Sequence, residues 1–159
     1  RLDVLPGEIV LAPDNLDGNF ISPPAFERYM RAGYRRTAQR VHAQEKWLVV
    51  QAGGPVRHLL PGLVEAGVDG VEGISGPPQA DLTLAEARQL AGPACTLWGG
   101  IPQNWLVPTH DRSQLEGAVH RIVEEMGGDG RAMVGVADRV PVDADPERLA
   151  ALPDLIGAA

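Results

Sequence analysis

The stretch "KWLVVQAGGPVRHLLPGLVEAG", residues 46–67, decides the fold. An apolar run, "WLVVQ", passes through Gly53 and Gly54 into a helical pattern that stops at Gly67. Such a run followed by an amphipathic segment reads as a strand feeding a helix across a turn. Pro61 breaks or restarts that helix, and Gly67 is a good C-terminal stop. The turn is also where an enzyme places reactive groups, which makes Gln51, Gly53 and Gly54 the first candidates for a site.

Four more runs repeat the pattern: "EIVLA" (8–12), "VDGVEG" (68–73), "CTLWG" (95–99) and "RAMVGV" (131–136). A helix is predicted after "SPP", capped by Ser22 with Pro23 at its first position. Its apolar side is Phe26, Tyr29, Met30, Tyr34, Ala38 and Val41. Further helices are predicted from the capping boxes Thr83/Glu86 and Ser113/Glu116, the latter running to about Met126, and from Asp145 followed by Pro146. Strand and helix thus alternate, with short returns such as "EAGVDG" and "MGGDGR". Alternation of this kind means parallel strands joined by right-handed crossovers, an α/β fold. Periodicity leaves an open sheet and part of a barrel both available.

The totals narrow the function classes. The chain has 159 residues, 44% hydrophobic and 22% charged, with a net charge of −7. One domain with a real core is expected. There is no Lys/Arg run, and aromatics are 4%, so no nucleic-acid surface is expected. No apolar run approaches the ~20 residues of a membrane span, and "RLDVLPGE" lacks the apolar core of a signal peptide. Cys95 is the sole cysteine, which excludes an internal disulfide and suits a reducing cytoplasm. Neither GxGxxG nor GxxxxGK[ST] occurs. The first residue is Arg1 rather than Met, so a processed chain or a piece of a longer one is expected.

Four stretches carry a resemblance: "DNLDGNFISPPAFERYMRAGYRR" (14–36), "LLPGLVEAGVDGVEG" (59–73), "ADLTLAEARQLAGPACTLWGGI" (80–101) and "GVADRVPVDADPERLAAL" (135–152). In this order they resemble the uroporphyrinogen decarboxylase superfamily, which includes tetrapyrrole decarboxylases and corrinoid-dependent methyltransferases. The resemblance implies a (β/α)8 TIM barrel, of which residues 1–159 match about five C-terminal βα units. A missing N-terminal half or a partner chain would then complete the barrel. It also implies carboxyl or one-carbon chemistry on a small-molecule substrate, with a corrinoid as a candidate cofactor.

The same resemblance implies what is gone. The His-x-Cys zinc pair of the methyltransferase branch falls on Gln51 and Gly53, an acidic ligand on Glu72, and a last Cys on Val136. One carboxylate is not a zinc site, so no metal centre is expected. The C-terminal histidine of the decarboxylase branch also falls near Val136, and the local cations are only Arg57 and Arg139.

In an α/β fold the chemistry gathers at the C-terminal ends of the strands. There the candidates are Asp14, Asn15 and Asp17 after the first strand, and Gln51, Gly53 and Gly54 after the second. Glu72 follows on the third, then Asp138 and Arg139 after the last. Asp14, Asp17, Glu72 and Asp138 are read as acid–base or orienting groups. Asn15, Gln51, Arg139 and the amides beyond Gly53–Gly54 are read as ligand-binding. Trp98 reads as core, Asn104 and Trp105 as a lid or loop filler, the histidines as surface or packed, and Cys95 as a buried small hydrophobe.

Overall fold

A computed structural model describes residues 6–157; the "RLDVL" of the N-terminal reading lies outside the described residues. Five strands, β1 (Ile9–Leu16), β2 (Trp47–Ala52), β3 (Gly70–Ile74), β4 (Thr96–Ile101) and β5 (Ala132–Val136), form one sheet in sequence order. Every neighbouring pair is parallel. Helices separate them: α1 (Pro23–Ala25) runs through a π-helical turn (Phe26–Met30) into α2 (Arg31–His42), followed by α3 (Leu60–Glu65), α4 (Leu84–Ala91), α5 (Arg112–Met126) and α6 (Pro146–Gly157). Sequential order and parallel pairing with helical crossovers are the arrangement of a (β/α) barrel wall.

The helices cover one face of the sheet. Leu48, Val50, Val71 and Leu97 of the strands are fully buried there, against Phe26, Ala38, Leu63 and Ala87. A second cluster, Ile101, Leu106, Leu115, Val119 and Leu152, joins β4 to α5 and α6. Arg148 of α6 is 7% exposed and donates to the carbonyls of Trp105, Val107 and His110, tying α6 to the β4–α5 connection.

Several start signals act as expected. Ser22 Oγ accepts from the Ala25 amide, Thr83 and Glu86 form both bonds of a capping box, and Asp145 accepts from the Glu147 amide. Pro61 lies in the first turn of α3 and so restarts the helix. Two expectations are corrected. The cap of α5 is Asp111, whose carboxylate takes the Ser113 amide and starts the helix earlier than Ser113; Glu116 pairs with Arg112 instead. Tyr29 leaves the apolar stripe because the π-helical turn changes the helix phase, and it lies exposed beneath the Arg28 guanidinium.

Among the described residues no layer covers the face away from the helices. Ile9, Leu11, Trp47, Trp98 and Met133 are exposed on it. Trp98 is therefore not core: it lies on this face at 38% exposure, in register with Glu72 and Met133. Among the described residues no helix is long and apolar enough to cross a membrane.

Candidate functional site

The register of the sheet builds a row across the uncovered face. Gln51 pairs with Glu72, Glu72 with Trp98, and Trp98 with Met133. Neighbouring strands lie about 4.8 Å apart, so these side chains stand shoulder to shoulder. The row is near the C-terminal ends of β2 and β3. The β3–β4 register skips Gly73, whose φ is +96°, and this bulge lies immediately after Glu72.

Glu72 is 8% exposed. Its carboxyl is held above the ordinary glutamate range, first by burial and then by the negative charge of Asp138; the Asp138 backbone amide hydrogen-bonds to it and offsets part of this. Asp138 follows β5 in the left-handed region at φ +63°, an uncommon conformation for a residue with a side chain. Gln103, in the 3-10 turn after β4, donates to Asp138 Oδ2 at 3.3 Å. Glu72, Asp138 and Gln103 thus form one connected polar group drawn from three strand ends. A buried carboxyl that keeps its proton nearer neutrality is suited to donating or taking a proton.

Beside this group is an open cavity of about 470 Å3, lined by Arg139, Gln79, Gln103, Asn104 and Val140 among others. Arg139 faces it as an exposed cation, and no ion pair joins it to Asp138 among the described residues. Asn104 lines the cavity, while Trp105 packs on the Leu106 cluster. Sequence reasoning missed Gln79 and Gln103. Their only signal was a place in loops rich in Gly and Pro after β3 and β4.

The other candidates are placed differently. Asn15 and Asp17 are pressed against the glycine pair: a methyl group at Gly53 would overlap Asn15 Oδ1, and one at Gly54 would lie 2.5 Å from Asp17 Cγ. The close approach that the glycines allow is therefore made by the protein's own end of β1 and the residue after it. Asp17 also accepts from the Asn19 amide. The amides beyond the glycines do hold an anion, and it is internal: Val56 and Arg57 donate to Asp81 Oδ1. Arg57 is engaged with the Asp81 carbonyl and Glu86. Asp14 is apart from the row, accepting from the Tyr34 hydroxyl on α2 at 2.6 Å. Burial, and then that contact, push the Tyr34 phenol upward. Cys95 is buried, and burial pushes its thiol up to about 11.

The positions at which the resemblance would place zinc ligands hold Gln51, Gly53, Glu72 and Val136. Among the described residues no three His, Cys, Asp or Glu side chains are grouped to hold a metal. A single hard carboxylate does not fit zinc.

A parallel βα wall with its polar groups gathered at the strand ends defines a protein of the (β/α)-barrel class. The family model for uroporphyrinogen decarboxylase (URO-D) matches residues 7–158, and the chain belongs to that family. No curated protein matches it in sequence. Among solved structures it is similar to a methyltransferase from Methanosarcina mazei, with a TM-score of 0.71 and 16% identity over 94% of this chain. The chain spans 41% of that protein's length.

Proposed function

We propose that the chain is part of an enzyme of carboxyl or one-carbon chemistry, with Glu72 as the group that moves a proton. The observation carrying this reading is a nearly buried carboxyl, raised toward neutrality, at a strand end of a URO-D-family fold. Asp138 and Gln103 keep Glu72 in place, Gln51 offers its neighbouring amide, and Arg139 meets an anionic part of the substrate from the adjoining cavity. The substrate class comes from the family likeness: a tetrapyrrole, a corrinoid or a small methyl donor. Further βα units, from an N-terminal part or a partner chain, complete the barrel.

The test assays uroporphyrinogen decarboxylation and methyl transfer from methylcobalamin to a thiol, for the wild type and for Glu72→Gln. Loss of a positioned general acid or base lowers the rate by about 10²–10⁴-fold. Unchanged turnover in the variant removes Glu72 from the mechanism.

A second reading is a ligand-binding protein without catalysis. It is favoured by one observation: the turn after β2 is filled by Asn15 and Asp17 and offers neither His nor Cys. Saturable corrinoid or porphyrin binding without turnover in either assay would support it.

A further inference from the structure

Three consecutive strand ends share one cavity whose charges and amides are not matched inside the protein. The cavity of about 470 Å3 takes Gln79 from the loop between β3 and α4, Gln103 and Asn104 from the 3-10 turn after β4, and Arg139 and Asp143 from the loop between β5 and α6. Its volume is that of a small-molecule site, about 300–1,000 Å3. Arg139 and Asp143 are both exposed, and among the described residues no ion pair takes up either of them. A lone anion in the cavity would be drawn to Arg139 and repelled by Asp143, and Asp138, bonded to Gln103, would add to the repulsion. A lone cation would meet the reverse. A ligand carrying both charges satisfies both residues.

The amides point the same way. Gln79 Oε1 and Asn104 Oδ1 are buried without a hydrogen-bond partner among the described residues. A buried acceptor left unpaired is unfavourable, and native proteins keep few of them. Here two come from different connections and line the same cavity. Both side chains are half-buried, and the last torsion of an amide side chain is soft, so a turn about it brings each oxygen to the cavity wall. What the oxygens lack is an N–H or O–H donor. A carboxylate has none to give, whereas an ammonium group has three.

We infer that the cavity is the subsite of a small zwitterion, an amino acid or an amino sulfonate. Its acid group binds Arg139, and its ammonium group binds Asp143 and the oxygens of Gln79 and Asn104. Gln103 connects the subsite to Glu72: it lines the cavity and donates to Asp138 Oδ2 at 3.3 Å, and the Asp138 amide bonds to the Glu72 carboxyl. The inference rests on the enzyme reading for its claim that this ligand is a substrate. Among the classes named there it selects a small charged molecule over a tetrapyrrole bearing only acids. The binding itself is tested without turnover.

Isothermal titration calorimetry of the protein with glycine, β-alanine, γ-aminobutyrate and taurine is the test. Propionate and ethylamine, each keeping one of the two charged groups of β-alanine, are the comparators. At least one zwitterion binds saturably, about tenfold or more tighter than either comparator. β-Alanine against taurine distinguishes a carboxylate from a sulfonate at the same spacing. Arg139→Gln lowers the zwitterion's affinity about tenfold or more and leaves that of ethylamine unchanged. Asp143→Asn lowers it similarly and leaves propionate as tight or tighter. Asn104→Leu weakens the zwitterion, yet the ligand-free variant unfolds thermally at or above the wild-type temperature, because the unpartnered oxygen is gone. The inference is overturned if no zwitterion binds, or if propionate binds as tightly as the zwitterions. Uroporphyrin binding that Asp143→Asn strengthens also overturns it, by making the cavity a plain acid site, as does an Asn104→Leu variant that loses stability and keeps its affinity. Zwitterion binding as described, in a protein whose turnover ignores Glu72→Gln, refutes only the catalytic reading.

Discussion

Gly73 is where the fold's geometry and the candidate site meet, and Gly73→Ala tests both. The residue has φ +96°, and a methyl group there would overlap the Ala52 carbonyl oxygen of β2. A left-handed backbone with a Cβ costs about 1–2 kcal/mol. Overpacking against a neighbour that cannot rotate away adds about 1–3 kcal/mol. Together these give about 2–5 kcal/mol. With a urea m-value of about 2 kcal/mol/M, the unfolding midpoint falls by roughly 1–2.5 M. Gly92→Ala is the control: φ is +71° there, but nothing lies within 4 Å of the new methyl group. Only the backbone cost applies, about 1–3 kcal/mol for a conformation that is essentially glycine's alone, a shift of roughly 0.5–1.5 M. The assay is urea unfolding of both variants at one protein concentration, since association alters apparent stability. Equal shifts for the two variants would refute the claim that the β3 bulge is locked against β2.

Arg148→Met leaves the carbonyls of Trp105, Val107 and His110 without their donor and costs about 3–5 kcal/mol in denaturant unfolding; Arg148→Lys, lacking the planar fork, recovers little of it. The folded state holds the Glu72 proton more tightly than the unfolded chain does. Its unfavourable burial as an anion therefore appears as pH rises through its raised pKa and is absent below the unfolded value. Glu72→Gln is accordingly more stable, relative to wild type, at about pH 8 than at about pH 4, as read by thermal unfolding at both. Asp129 behaves oppositely. Arg88 holds its carboxyl low, so that contribution is present above the unfolded value and lost on acidification, and Asp129→Asn flattens the acid limb of stability. Cys95, with its thiol pushed up to about 11, reacts with a disulfide reagent only when denaturant is added; prompt reaction in the native protein would contradict its burial.

Much of the architecture is legible in the sequence because it is carried by local signals. The Thr83/Glu86 box, Asp145 before Pro146 and the Gly67 stop each fix an element end through bonds within a few residues. Asp111 in place of Ser113 shows the limit: both are good caps, and only the chain's path into α5 chooses between them. Part of the candidate row across the sheet was legible for the same reason. Gln51 and Glu72 follow from being strand-end polar residues on consecutive strands, and the register makes them neighbours. The link from Glu72 to Asp138 and Gln103 depends on a left-handed residue at Asp138, which no periodicity signals. Asp14 turned toward Tyr34 because β1 loses regular pairing between Ala12 and Leu16, with Asn15 at φ +48°. Trp98 departs from its expected core place because hydrophobicity marks a buried face only when something covers it, and among the described residues nothing covers the inner face of this sheet.

The central claim is that Glu72 is a carboxyl whose pKa is raised at a strand-end site. An NMR titration of the glutamate carboxyl carbons, assigned by comparison with Glu72→Gln, tests it most directly. The account predicts one glutamate titrating clearly above the ordinary range of about 4.3, lost in the variant and moved downward in Asp138→Asn, where the neighbouring charge is gone. A Glu72 resonance at or below the ordinary value, indifferent to Asp138, would contradict it.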